Sequence, residues 1–278
     1  MRGCGVTTRV LVNGDGAGRI APDDRGLNYG DGLFESVLFV HGRAPLWPRH
    51  MARLADGCAR LLLPTLDQEL LLREAILVAT GISCAVVRIT ITRGTGPRGY
   101  AIPDSMRVTR IVAASTAPAI PADWYHRGMH VRTCALRLSE QPRLAGIKHL
   151  NRLEQVLARA EWNEEAIGEG LLCDTQDRVI SATAANLFGV LGGRLVTPAL
   201  ERCGVAGVAR AEVLVQRACE VRDLTMAELM QADEVFLTNS VRGIMPVATL
   251  DDRHWPVGPV ARAMQAHWHA LGLSVDAA

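Results

Sequence analysis

Residues 115–124 read STAPAIPADW, two prolines among small side chains, and no regular helix or strand runs easily through such a stretch. That interruption constrains the chain more than any other feature, because each side of it carries its own set of elements. Before it, TRVLVNG, FESVLFV, AVVRITIT and MRVTRIVAAS have strand composition, while HMARLADGCARLLL and DQELLLREAILVATG space Leu, Ala and Ile at helical intervals. After it come a strand MHVRTCALRL, a helix following residue 148, strands GLLCDT, ANLFGVL and DEVFLTN, and helices near 208–219 and 258–271. Both sides mix helices with strands, so the pattern predicts two α/β domains, 1–114 and 125–278, joined by residues 115–124. A length of 278 residues suffices for two ordinary cores. In such chains function often lies in the cleft between domains.

The charge balance narrows the function classes. A formal net charge of +1 gives no general attraction to nucleic acid or to anionic lipid. No apolar run approaches the roughly 18 residues of a membrane span, and MRGCGVTTRVLVNG lacks the apolar core of a signal peptide. The seven cysteines (4, 58, 84, 134, 173, 203 and 219) are odd in number, scattered and without a C-x-x-C pair. They predict reduced, mostly buried thiols in a cytoplasmic protein. No His or Cys pair has zinc-ligand spacing, so no metal is expected.

Arginine provides 29 of the 30 basic residues, and Lys148 is the only lysine. In AGIKHLNRLEQVLARAE, the apolar positions Leu150, Leu153, Val156, Leu157 and Ala160 recur at helical spacing. An amphipathic helix is therefore expected just after Lys148, where the preceding strand gives way. The residues alone leave two readings open. Lys148 is a surface cation that arginine has not replaced, or it is kept for chemistry that arginine cannot do. A guanidinium is never deprotonated in a protein, whereas a desolvated lysine amine can lose its proton and attack a carbonyl carbon.

Two glycine-rich stretches bear on ligands. RGTGPRGY (93–100) contains G-x-G-x-x-G after a strand, but YAIPDSMRV follows, with Pro103 and no helical spacing. The helix N-terminus that a dinucleotide phosphate requires is missing, which argues against that site. CGVAGVARAEVLVQRA (203–218) places glycines before a helix, whose first N–H groups suit an anion. The same pattern equally fits an ordinary helix entry.

GIKHLNRLEQVLARAE resembles the lysine segment of the fold-type IV pyridoxal-phosphate enzymes. These comprise the branched-chain and D-amino-acid aminotransferases and the 4-amino-4-deoxychorismate lyases, and G-I-K-H-L-N-R-L-E-Q is most similar to the lyases. DDRGLNYGDGLFESV (23–37) is similar to the family's D-R-G-x-x-Y-G-D-G-x-F-E stretch, RHMARL to its phosphate-arginine segment, and ATAANLFGV to its S/A-N-L-F strand. The resemblance implies the family's α+β, two-domain fold, with pyridoxal 5'-phosphate in the interdomain cleft, and a homodimer. It implies that Lys148 holds the cofactor and acts as base. It assigns the cofactor phosphate to Arg53, to the amides of Val208 and Ala209, and to Ser240. R-G-x-G-x-R-G-Y looks like the lyases' substrate loop, with Arg98 and Tyr100 aimed at a substrate carboxylate.

One position departs from the aminotransferase pattern. In DTQDRVISATAANLF, Ser181 stands where aminotransferases carry the glutamate that pairs with the cofactor's ring nitrogen. A carboxylate keeps that nitrogen protonated and the electron sink deep; a hydroxyl only hydrogen-bonds to it. Elimination needs a briefer carbanion than transamination does. The resemblance and Ser181 together point to a lyase producing 4-aminobenzoate and pyruvate for folate synthesis, with an aminotransferase as the alternative.

Overall fold

The computed structural model describes residues 9–273, so Cys4 lies outside the described residues. The chain falls into two compact units. The first comprises Met1–Pro118 and Ile147–Asn151; the second comprises Ala119–Gly146 and Arg152–Ala278.

The first unit contains β1 (Arg9–Val12), α1 (Arg25–Tyr29), β2 (Gly32–Val40), α2 (Trp47–Arg60), α3 (Gln68–Ala79), β3 (Cys84–Thr92) and β4 (Thr109–Thr116). Its strands form an antiparallel sheet in the order β1-β4-β3-β2. Along β3 every second residue (Ala85, Val87, Ile89, Ile91) is fully buried. A register slip of one residue would expose that entire face, so the burial fixes the pairing. Helices α2 and α3 pack on the sheet through Met51, Leu54 and Cys58, and through Leu71, Ala75 and Val78. The Asp67 carboxylate starts α3 by accepting the Leu70 N–H at 2.9 Å, a cap that contributes about 1 kcal/mol.

Residues 147–151 lie along the free edge of β2. The Phe34 N–H donates to the Lys148 carbonyl at 2.9 Å, and the Leu150 N–H donates to the Gly32 carbonyl at 3.0 Å. Two glycines of β2's approach permit this. Gly30 has a φ of 65°, and a Cβ there would lie 2.4 Å from Asn151 Oδ1. A Cβ on Gly32 would lie 2.3 Å from the Ile91 carbonyl oxygen and 2.9 Å from Leu150 Cδ1. The expected strand-to-helix junction at Lys148 is thus replaced by an extended segment bonded to β2. Its backbone groups find partners more than a hundred residues away in sequence, which local spacing does not encode.

The second unit contains α4 (Ala122–His126), β5 (Met129–Leu138), α5 (Leu153–Arg159), β6 (Ile167–Asp174), β7 (Val179–Ala182), β8 (Asn186–Leu191), β9 (Arg194–Pro198) and α6 (Val208–Gln216). There follow β10 (Glu220–Arg222), α7 (Met226–Leu229), β11 (Glu234–Asn239), β12 (Gly243–Leu250), β13 (Arg253–His254) and α8 (Pro259–Ala270). The sheet order is β10-β9-β8-β11-β12-β5-β6-β7, with β13 on β12. The β9–β10, β5–β12 and β5–β6 pairs are parallel. β7, at one end of that order, also lies against β8, so the sheet curls. Phe188 opposes Phe236 across β8 and β11, with their rings stacked at 5.1 Å in the core.

Two expectations need adjustment. Of STAPAIPADW only residues 117–121 are irregular, because β4 runs to Thr116 and α4 begins at Ala122. The helix after Lys148 is short and turned outward. Leu153, Val156 and Leu157 are 76%, 60% and 61% exposed, and α5 rests on Ala158 instead. Apolar spacing identifies a face but not what covers it.

Gly32→Ala should displace the start of β2, because the obstructing Ile91 atom is β3 backbone and cannot yield, and that displacement should loosen the bonds from β2 to residues 148 and 150. Hydrogen exchange at the Phe34 and Leu150 amides should accelerate, with Val87 on β3 unchanged. Unaltered exchange at those two amides would refute the role assigned to Gly32.

Candidate active site

Lys148 is held by its backbone, and its amine extends over a ring. Nζ lies 4.3 Å from the centroid of Phe34, and the Arg88 guanidinium carbon lies 3.9 Å from the same centroid. Alternation along β2 sends the next side chain, Glu35, to the opposite face, where it is buried. Glu35 accepts Arg53 Nε–H at 2.8 Å and Arg53 Nη2–H at 2.5 Å, one on each oxygen, and meets His50 Nδ1 at 2.6 Å. His50 and Arg53 are three residues apart on α2, so one helix face presents both to the strand.

The electrostatics of this trio follow from its burial. Desolvation alone would raise the Glu35 pKa, but the Arg53 charge and the hydrogen bonds from His50 and Arg53 outweigh it and hold the carboxyl at about 2. For His50, burial dominates the pull of Glu35 and lowers its pKa, and the nearby Arg53 and Lys148 charges act in the same direction. His50 is therefore a neutral imidazole donating its Nδ1–H to a carboxylate. Sequence reading gave Arg53 a ligand role and gave Glu35 and His50 none. A signal was present: an acid within the apolar strand GLFESVLFV must be paired wherever it is buried.

In the second unit, Ser181 is buried on β7 opposite Leu172 of β6. Val208 and Ala209 open α6, whose N-cap Gly207 offers no side chain to the first-turn amides. Asn186, at the start of β8, shapes this entry. Its Oδ1 accepts the Gly207 N–H at 3.0 Å and its Nδ2 donates to the Val205 carbonyl at 2.9 Å. A Cβ on Gly207 would lie 2.0 Å from that Oδ1. Ser240 follows β11, where Asn239 Nδ2 donates to the Ala184 carbonyl at 3.1 Å, so it lies at the same end of the sheet as β8's start. Thr238, paired in register with Asn186, is buried and its hydroxyl has no partner. Sequence reading missed Thr238; only the register exposes it.

Arg98 and Tyr100 sit in the loop that joins β3 to β4, and no helix follows the G-x-G-x-x-G stretch. Tyr100 is 86% exposed, and Arg98 makes no hydrogen bond or ion pair among the described residues. The described cysteines are unbridged, and burial pushes Cys134 and Cys203 up to about 12, which makes them poor nucleophiles. Lys148 is thus the stronger candidate nucleophile.

Taken separately, each unit carries groups of the kind that pyridoxal phosphate requires. One unit provides a primary amine at a strand edge and a guanidinium held in fixed orientation. The other provides a helix entry with first-turn amides lacking a side-chain cap and, beside the asparagine that shapes it, an orphaned buried hydroxyl, a donor set suited to a phosphate.

Glu35 generates a pH prediction. Its pKa is depressed on folding, so its stabilisation is complete above the ordinary carboxylate range and is lost as pH falls through about 2. A depression of that size corresponds to roughly 3 kcal/mol. The stability difference between the protein and Glu35→Gln, measured by denaturant unfolding, should shrink steadily from pH about 5 to about 2. A difference that does not vary with pH would refute the pairing.

Comparison with known proteins agrees with this chemistry. The profile of the family described as Amino-transferase class IV matches residues 32–250, well over half of the chain. An aminodeoxychorismate lyase of Vibrio harveyi is 34% identical over 92% of this chain and 98% of its own length. A crystal structure of 4-amino-4-deoxychorismate lyase from Pseudomonas aeruginosa superposes with a TM-score of 0.90 at 46% identity, covering 94% of this chain and 98% of that one. The branched-chain amino acid aminotransferase of Escherichia coli, at 21% identity, 96% coverage of both chains and a TM-score of 0.84, shares the fold. The chain belongs to the class IV aminotransferase family of fold-type IV enzymes.

Proposed function

We propose that the chain is a pyridoxal-phosphate-dependent lyase that converts 4-amino-4-deoxychorismate into 4-aminobenzoate and pyruvate, a step toward folate. The observation that carries this reading is Lys148: the only lysine, kept at the edge of β2, in a chain 46% identical to a lyase of that name.

When bound, the cofactor supplies the electron sink that makes the carbon bearing the substrate amine acidic. Lys148 Nζ would hold the cofactor and, once its amine is free, would take the proton from that carbon. Loss of this proton would allow the carbon–oxygen bond to the enolpyruvyl group to break with its electron pair on oxygen; the ring becomes aromatic, and the departing enolpyruvate takes up a proton at its methylene carbon to give pyruvate. Arg53, kept in orientation by Glu35, would hold the cofactor phosphate, and the amides of Val208 and Ala209 with Ser240 are the further donors we assign to it. Ser181 meets the ring nitrogen as a hydroxyl, which favours elimination over amino transfer. Arg98 and Tyr100 meet a substrate carboxylate.

We place the enzyme as a cytoplasmic homodimer. The unbridged cysteines suit a reducing compartment, and no helix among the described residues is long and apolar enough to cross a membrane. The exposed Leu153, Val156 and Leu157 stripe on α5 suits burial against a second copy.

The test is a product assay combined with Ser181→Glu. The protein should release 4-aminobenzoate and pyruvate in equal amounts, and amino acids should give little keto acid. A carboxylate at 181 should keep the ring nitrogen protonated and shift the partition toward amino transfer, seen as pyridoxamine phosphate accumulating with an added amino acid. Cofactor content must first be shown to be normal, because the longer side chain can exclude the cofactor. An unmoved partition in a fully loaded variant would remove Ser181 as the ring-nitrogen partner. Keto acid formation without 4-aminobenzoate would establish the aminotransferase instead.

A further inference from the structure

The first unit holds a second buried acid–arginine cluster, at the foot of the loop that carries Arg98. Asp31 accepts Arg25 Nε–H at 3.0 Å and Arg93 Nε–H at 2.7 Å on one oxygen, and Arg93 Nη2–H at 3.0 Å on the other. Both arginines are buried. Desolvation would raise the Asp31 pKa, but the two arginines outweigh it and hold the carboxyl below its ordinary range. Arg93 donates further to the carbonyls of Leu61 and Leu62, at 2.6 and 3.1 Å, just past the end of α2. Arg25 points the other way. Its Nη1 donates to the Gly99 carbonyl at 2.9 Å, and its Nη2 lies 3.5 Å from the Tyr100 carbonyl.

Tyr29 completes the arrangement. Its hydroxyl accepts the Gly99 N–H at 3.3 Å, and its ring lies edge-on to Tyr100 at 5.5 Å and 5.0 Å from the Arg25 guanidinium. RGTGPRGY contains three glycines and would be flexible in isolation. A buried fork on the successive carbonyls of Gly99 and Tyr100, with an acceptor for the Gly99 amide that precedes them, fixes the peptide planes at its tip. The result is a fixed turn carrying an exposed arginine that has no acidic partner among the described residues.

We propose that Arg25, with Tyr29, is a positioning residue for recognition of a substrate carboxylate: it holds the 98–100 turn in place, so that Arg98 is ordered before substrate arrives. This rests on the assignment of Arg98 and Tyr100 to the substrate. Ordering a glycine-rich loop and a long side chain during binding weakens affinity, and a preformed turn avoids that cost. Lysine at position 25 keeps the charge and can reach Asp31, but it has no planar fork for two carbonyls.

The experiment compares Arg25→Lys, Tyr29→Phe and Arg98→Ala as holoenzymes with 4-amino-4-deoxychorismate. Arg25→Lys should raise KM on the order of 10- to 100-fold, as expected when 1.4–2.7 kcal/mol of binding is lost, with kcat within about threefold and cofactor affinity unchanged. Hydrogen exchange over residues 95–104 should accelerate in the same variant. Tyr29→Phe should move KM and exchange in the same direction by less, and it decides the matter if Arg25→Lys does not fold. A raised KM in Arg98→Ala, with KM and exchange unmoved in the folded position-25 or position-29 variant, overturns the positioning role. An unmoved KM in Arg98→Ala means that the loop assignment itself has failed, whatever Arg25 does to exchange.

Discussion

Two backbone hydrogen bonds at the edge of β2, from Phe34 to the Lys148 carbonyl and from Leu150 to the Gly32 carbonyl, hold the segment that carries the only lysine. They convert a stretch with no regular structure of its own into a strand-like attachment. A lysine side chain has four rotatable bonds and little intrinsic direction, so its placement depends on how firmly its backbone is held. With the carbonyl of Lys148 bonded and Phe34 beneath the amine, the remaining freedom is mostly that of the side chain. This suits the role we propose for Lys148, holding a cofactor, releasing it and then acting as a base.

The sequence DDRGLNYGDGLFE can be understood as the support for that attachment. Asp24 is buried and ties the sheet to α1, accepting the Gly26 N–H at 2.8 Å and the hydroxyls of Thr92 and Thr109 at 2.9 and 2.6 Å. Arg25, Tyr29 and Asp31 hold the adjoining loop, Gly30 and Gly32 leave room for residues 150 and 151, and Glu35 orients Arg53. Buried acids here are each matched by arginines or hydroxyls, which is the condition for keeping charge inside a small unit. Charge pairing and backbone access in this segment thus serve one end, the geometry around β2.

Much of this was legible in the sequence, for identifiable reasons. Strands such as β3 and β5 announce themselves through alternation and β-branched composition, and α2 and α3 through their apolar spacing. Lys148 stood out because every other basic residue is arginine. The missed elements carry weak local signals. β12 holds Pro246 in its interior, and its pairing with β5 begins only at Val247. α1 has five residues and no periodicity to read. The arrangements of Glu35, His50, Arg25 and Thr238 were illegible because they depend on partners brought near by register and packing. The outward turn of α5 was illegible for the same reason, since spacing does not say what lies opposite a face.

The most direct measurement is the location of the cofactor's covalent attachment. Borohydride reduction of the coloured protein followed by peptide mapping should place the label on the single peptide containing Lys148, and Lys148→Arg should bind no reducible cofactor and lose the visible absorbance. A stable label on any other residue, or a reducible cofactor retained by Lys148→Arg, would contradict the account.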